Sequence, residues 1–89
     1  MIRKEIMIVN KLGLHARAAS HLVKTASDFK ARITVEKAGA SANAKSIMGL
    51  MLLAAAKGQS VTVAADGEDE AAALSAVESL IRNRFHEEQ

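Results

Sequence analysis

Apolar and polar residues alternate along short stretches of this chain and recur at helical spacing along longer ones. Residues 2–9 read as a strand, with Ile6 and Ile8 on one face and the β-branched Val9 at the end. Residues 10–14 form a loop. From Ala16 to Ala26 the composition is that of a helix, where Ala19, Leu22, Val23, Ala26 and then Phe29 make one apolar stripe and Ser20, Lys24 and Ser27 face outward. Ala31, Ile33 and Val35 alternate with Arg32, Thr34 and Glu36, the clearest half-buried strand in the chain. Lys37 to Gly39 is a turn signal, and Ala40 to Asn43 is a short returning strand. Ser46 is placed to N-cap a short helix carrying Ile47, Leu50 and Met51, with Gly49 allowing close approach and Gly58 available beyond its end. Val61, Val63 and Ala65 alternate into a further strand, which Asp66-Gly67 turns. The last segment, from about Asp69, puts Leu74, Val77, Ile81 and Phe85 on one side, with acidic residues in its first turn and arginines in its last.

The order is therefore βαββαβα, an α+β arrangement. Pattern alone permits a ferredoxin-like sandwich with one helix appended. Eighty-nine residues, 49% of them hydrophobic, predict a single domain over 1–89 with one modest core, and there is no internal repeat or linker. Cysteine is absent, which excludes disulfides, thiolate zinc sites and redox motifs and agrees with a cytoplasmic protein. The apolar run Ile6 to Val9 is too short for a signal peptide or a membrane span, so no membrane insertion is expected.

The net charge of +2 conceals a division. Residues 1–57 hold ten Lys or Arg against three Asp or Glu, giving +7, and residues 58–89 hold two against seven, giving −5. The basic half can steer an acidic protein or attract nucleic acid, while an acidic tail is ordinarily a solvated face.

The chemistry sits in the basic half, at Gly13-Leu14-His15-Ala16-Arg17. A loop histidine is ordinarily a solvated side chain. Here it follows a glycine turn, starts a helix and precedes an arginine. Helix N-termini have unpaired N–H groups and partial positive charge, so the amides of Ala16, Arg17 and Ala18 make an anion site. Arg17 adds a planar fork of donors, and an arginine at the positive end of a helix is misplaced unless an anion visits. A neutral imidazole keeps a lone pair, so His15 can attack a phosphoryl group and carry it covalently. His21 lies six residues after His15, the wrong spacing for a shared helix face. No metal pair is expected, and neither His21 nor His86 is given a role.

At these residues the chain resembles the HPr family, the histidine phosphocarrier proteins of the bacterial phosphotransferase system. The resemblance rests on Gly13-Leu14-His15-Ala16-Arg17, on Lys45-Ser46-Ile47-Met48-Gly49 and on length, and it runs over essentially all 89 residues. The family usually has proline after the arginine, where this chain has Ala18. Alanine there gives up some rigidity and adds one donor.

The resemblance implies an open-faced sandwich, a four-stranded antiparallel sheet with three helices on one face. It implies a phosphocarrier in which His15, phosphorylated on Nδ1, accepts from an Enzyme I-type donor and passes the group to IIA-type proteins, with no cofactor or metal of its own. Such a protein is a substrate of its partners rather than an enzyme, and a cytoplasmic monomer is expected. In some members the serine matching Ser46 is phosphorylated by a dedicated kinase, which adds a regulatory site and a further partner. Ile47, Met48, Met51 and Leu52 cannot all point inward from one short helix. Either Met48 or Leu52 packs on the tail helix, or the four form an apolar patch that accepts several partners. The resemblance favours the patch, completed by Ala16, Arg17, Ser20, Lys24 and Ser27.

Two rivals stand beside this reading. One is a carrier of the nitrogen-related branch, with the same chemistry at His15 and a signalling output. The other is a small basic nucleic-acid-binding module, which the scarcity of aromatics counts against: Phe29 and Phe85 are the 2% aromatic content, both on apolar helical stripes.

Overall fold

The structure is a computed structural model that describes residues 1–87. The expected single domain over 1–89 thus extends two residues outside the described part. Four strands, β1 (Ile2–Met7), β2 (Arg32–Lys37), β3 (Ala40–Asn43) and β4 (Ser60–Asp66), alternate with helices α1 (Ala16–Ser27), α2 (Ile47–Leu52) and α3 (Glu70–Arg82) in the expected order. They form one sheet in the order β1-β4-β2-β3, with every pair antiparallel. This is the open-faced sandwich. β4 fills the gap between β1 and β2.

Alternation explains the layers. Ile6 faces Val61 and Val35 faces Val63 across the ladders, and these side chains with Ile33 and Ala65 enter the core. Glu5, Thr62, Thr34 and Glu36 take the opposite face. The helices cover the apolar face: α3 packs on β1 and β4, α2 on β3, and α1 on both other helices. From α1 come Ala18, Ala19, Leu22 and Ala26, and from α3 Ala73, Leu74, Val77, Leu80 and Ile81, all buried.

Several boundaries differ from expectation. β1 ends at Met7, not Val9. Ile8 still exchanges hydrogen bonds with Gln59 and Gly58, at 2.9 and 2.8 Å, and the chain then departs so that Asn10 can turn inward. Helix α2 stops at the cap residue Leu53, followed by Ala54 at φ 52°, so Gly58 is not its end signal. Helix α3 stops at Arg82, and Phe85 is not on it. Arg84, Phe85 and His86 are left-handed instead, at φ 58°, 54° and 65°.

That turn is expensive, since each L-residue in this region costs about 1–2 kcal/mol. It persists because Phe85 is completely buried. The His86 ring also meets His21 on α1 edge-to-face, with centroids 5.8 Å apart. The two histidines given no role from the sequence thus pack the turn over residues 84–86 onto α1. The turn aims residue 87 back at the start of that helix.

Candidate functional site

Gly13 sets the position of His15. Its φ is +64°, and a Cβ added there would lie 2.3 Å from the Ala55 carbonyl oxygen, so a side chain is excluded on both grounds. Without one, the loop lies flat on the segment after α2, and Leu14 donates its N–H to that same carbonyl at 2.9 Å. Leu14 itself is buried. His15, the next residue, is pinned by its neighbour and projects its ring at the surface.

His15 is the N-cap of α1, in extended backbone, and its carbonyl accepts the first intrahelical bond from Ala19 at 2.8 Å. Its side chain makes no capping bond. Among the described residues no acceptor takes the N–H of Ala16, Arg17 or Ala18. Ala16 and Arg17 are exposed, whereas Ala18 is fully buried, its methyl in the core. The donors open to an arriving anion are therefore those of Ala16 and Arg17. No acidic residue stands in this first turn. Partial positive charge from the helix and full charge from Arg17 converge beside the ring.

An open hollow at the mouth of α1 is lined by Lys11, Leu12, His15, Ala16, Arg17 and Glu87. Glu87 comes from the acidic half expected to be solvated, and it lies directly on the histidine: its carboxylate Oε2 is hydrogen-bonded to His15 Nε2. The other carboxylate oxygen accepts from Asn10 Nδ2 at 3.0 Å. Asn10 Nδ2 also donates to the Gly13 carbonyl at 2.8 Å. Burial works against the Glu87 charge, but the hydrogen bonds from Asn10 and His15, and then the nearby charge of His15 and Arg17, outweigh it and hold the carboxyl below its ordinary value. The His15 side chain remains 27% exposed, so the ring can still be reached from solvent.

Asn10, Glu87, Lys11 and Leu12 were not among the expected site residues. Asn10 offered a weak signal, an asparagine three residues before Gly13. For Glu87 nothing local in the sequence points to the site.

The remaining expected residues lie nearby on α1 and α2. Ser20, Lys24 and Ser27 are exposed on α1. Ser46 caps α2, its Oγ accepting from the Gly49 N–H at 3.1 Å, and does not line the hollow. Ile47, Met48, Met51 and Leu52 are all exposed, Met48 at 70% and Leu52 at 80%, which decides against packing of either on α3. Since α2 packs on α1, this apolar surface adjoins the helix that carries the site. Phe29 is partly buried and Phe85 fully so, which leaves neither as a stacking platform for bases. No helix among the described residues is long and apolar enough to cross a membrane.

Comparison with known proteins agrees with this geometry. Residues 2–83 match the family described as "PTS HPr component phosphorylation site". The phosphocarrier protein HPr of Xylella fastidiosa (strain 9a5c) is 50% identical over 88 residues, 99% of either chain. HPr of Neisseria meningitidis serogroup B is 51% identical over 87 residues, 98% of either chain. A crystal structure of HPr-C-His from Thermoanaerobacter tengcongensis superposes with a TM-score of 0.95 at 47% identity, covering 100% of both chains. With the fold, the helix-capping histidine and these relatives in agreement, the chain belongs to the HPr family of phosphocarriers of the phosphotransferase system.

Proposed function

We propose that this protein carries a phosphoryl group on Nδ1 of His15, taken from an Enzyme I-type donor and given to a histidine of IIA-type acceptors. The observation that carries the reading is the position of His15 as an N-cap whose side chain leaves the helix amides unpaired. The Ala16 and Arg17 N–H groups and the Arg17 guanidinium neutralise phosphate oxygens beside the ring. Ala18 contributes through the helix dipole, since the residue itself is buried. Phosphoryl transfer asks a protein chiefly for such positioning and neutralisation. The grip must stay moderate, because a group held too tightly does not move on.

The protein is then a substrate of its partners, cytoplasmic and monomeric, and not an independent enzyme. Ile47, Met48, Met51 and Leu52, with Ser20, Lys24 and Ser27, form the face on which donor and acceptors dock in turn. Exposed methionines support that role because flexible, polarisable side chains fit more than one partner. Ser46 is a regulatory site, since phosphate on a residue at a helix N-terminus is tolerated by the fold and adds charge near the docking face.

The test is incubation with phosphoenolpyruvate, magnesium and an active Enzyme I, read by intact mass before and after acid. One acid-labile phosphate, absent from His15→Ala, is expected. If His15→Ala takes up the phosphate as well, the assignment of the acceptor is wrong.

A further inference from the structure

Glu87 has no part in the reading above, and its location calls for a reason. A carboxylate repels an arriving phosphoryl group, so an acidic side chain against the acceptor histidine is electrostatically unfavourable unless it acts through the ring. The fold nevertheless keeps it there: three left-handed residues, the buried Phe85 and the buried Asn10 all hold Glu87 on His15.

We propose that Glu87 is a positioning residue for phosphoryl transfer at His15, its carboxylate accepting the hydrogen of Nε2 and thereby keeping the Nδ1 lone pair free and aimed. This rests on His15 being the acceptor. An ionised carboxylate has no hydrogen to donate, so the nitrogen bonded to it must carry the ring's hydrogen. In a neutral imidazole the other nitrogen then holds the lone pair. Because Oε1 of the same carboxylate is bound by Asn10, the carboxylate is itself held in place against the ring.

The carboxylate also acts during the transfer. The Nδ1 lone pair forms the new N–P bond while the bond from phosphorus to the donor's leaving group breaks, its electron pair departing with the donor. The ring, still carrying hydrogen on Nε2, gains positive charge, which the adjacent carboxylate stabilises. In onward transfer the N–P electron pair returns to Nδ1 and that charge disappears. Glu87 meets the ring at Nε2, away from the arriving phosphorus, and Arg17 lies near enough to offset part of its charge.

The test compares the full chain with Glu87→Ala and Glu87→Gln, phosphorylated by active Enzyme I with phosphoenolpyruvate and magnesium, and follows the His15 ring by nitrogen-15 and proton spectroscopy. The parent protein should show hydrogen on Nε2 and a far-downfield signal from it. Glu87→Ala should lose that signal, with its maximal transfer rate lowered about tenfold and the half-saturating carrier concentration little changed. Glu87→Gln keeps an accepting oxygen without charge and should fall between. Three outcomes overturn the proposal: an unchanged rate in Glu87→Ala, a faster one, which would make Glu87 an obstacle, or a downfield signal that survives the substitution. A parent chain that takes no phosphate at His15 overturns the carrier reading, and the positioning role with it. The two failures are told apart by whether the parent is phosphorylated.

Discussion

Asn10 and Glu87, 77 residues apart in the chain, meet in a hydrogen bond of 3.0 Å. The same Asn10 nitrogen donates to the Gly13 carbonyl. A single buried amide therefore joins the loop before His15 to Glu87 beyond the left-handed turn, and it does so at some cost, because Asn10 Oδ1 has no partner among the described residues. A buried polar group kept under those terms points to the geometry it enforces.

Asn10→Ala should remove both bonds and lower stability by about 1–3 kcal/mol, read as a shift in the urea midpoint. Asn10→Asp, of equal size, sets a second carboxylate against Glu87. Its deficit should be largest at neutral pH and shrink in acid as the pair takes up a proton. A midpoint for Asn10→Asp that equals the parent's at neutral pH would count against the Asn10–Glu87 contact.

Gly13→Ala combines a strained φ with a Cβ driven to 2.3 Å from the Ala55 oxygen. A loss of about 2–4 kcal/mol is expected, because the obstacle is backbone and cannot rotate away. The loop should lift and carry His15 with it. Transfer from Enzyme I, assayed where circular dichroism shows the variant still folded, should be slower than in the parent.

How the fold and the site are written in the sequence differs. Ile33, Val35, Val61 and Val63 announce their strands because one face is buried and the other wet, and α1 announces itself by its stripe. These are local periodicities. His15 and Arg17 are likewise local, adjacent to the glycine that places them. Phe85 sits four residues after Ile81, the spacing of a helix that in fact stops at Arg82, and spacing alone does not reveal the left-handed turn that takes over. Glu87 follows from that turn. Its partner is fixed by tertiary geometry across the whole chain, which no window of neighbouring residues contains.

Ser46 makes a cap that can be weighed by itself. Ser46→Ala removes the acceptor of the Gly49 N–H and should cost about 1 kcal/mol. In a chain of this length that lowers the melting temperature by about 4–8 °C. Ser46→Asp retains an acceptor and adds favourable charge at a helix N-terminus, so it should melt close to the parent. Equal melting of Ser46→Ala and the parent would mean that the cap is not what holds α2.

Acid should weaken the fold through Asp69. Although it precedes α3, its side chain does not cap that helix. It reaches back to the start of β2 instead, where Oδ2 accepts from the Lys30 N–H at 2.8 Å and Oδ1 from the Ala31 N–H at 2.9 Å. The bond from Lys30 is the largest influence on its titration. Desolvation opposes it, the bonds from Ala31 and from its own backbone and the Lys45 charge reinforce it, and the carboxyl ends below its ordinary value. A depressed folded value means that the unfolded chain binds the proton more readily. The contribution is therefore complete above the ordinary carboxylate range and is lost as pH falls through the folded value. Glu70 and Glu78 are shifted the same way, by the Gly67 N–H and by Lys4 with Arg82 respectively, and steepen the decline. Asp69→Asn keeps an accepting oxygen but no charge to lose. Urea midpoints of parent and variant should differ most above the ordinary carboxylate range, near neutral pH, and converge as pH falls through the folded value. A gap that stays constant across that range would show that Asp69 serves as a neutral acceptor and that the acid sensitivity lies elsewhere.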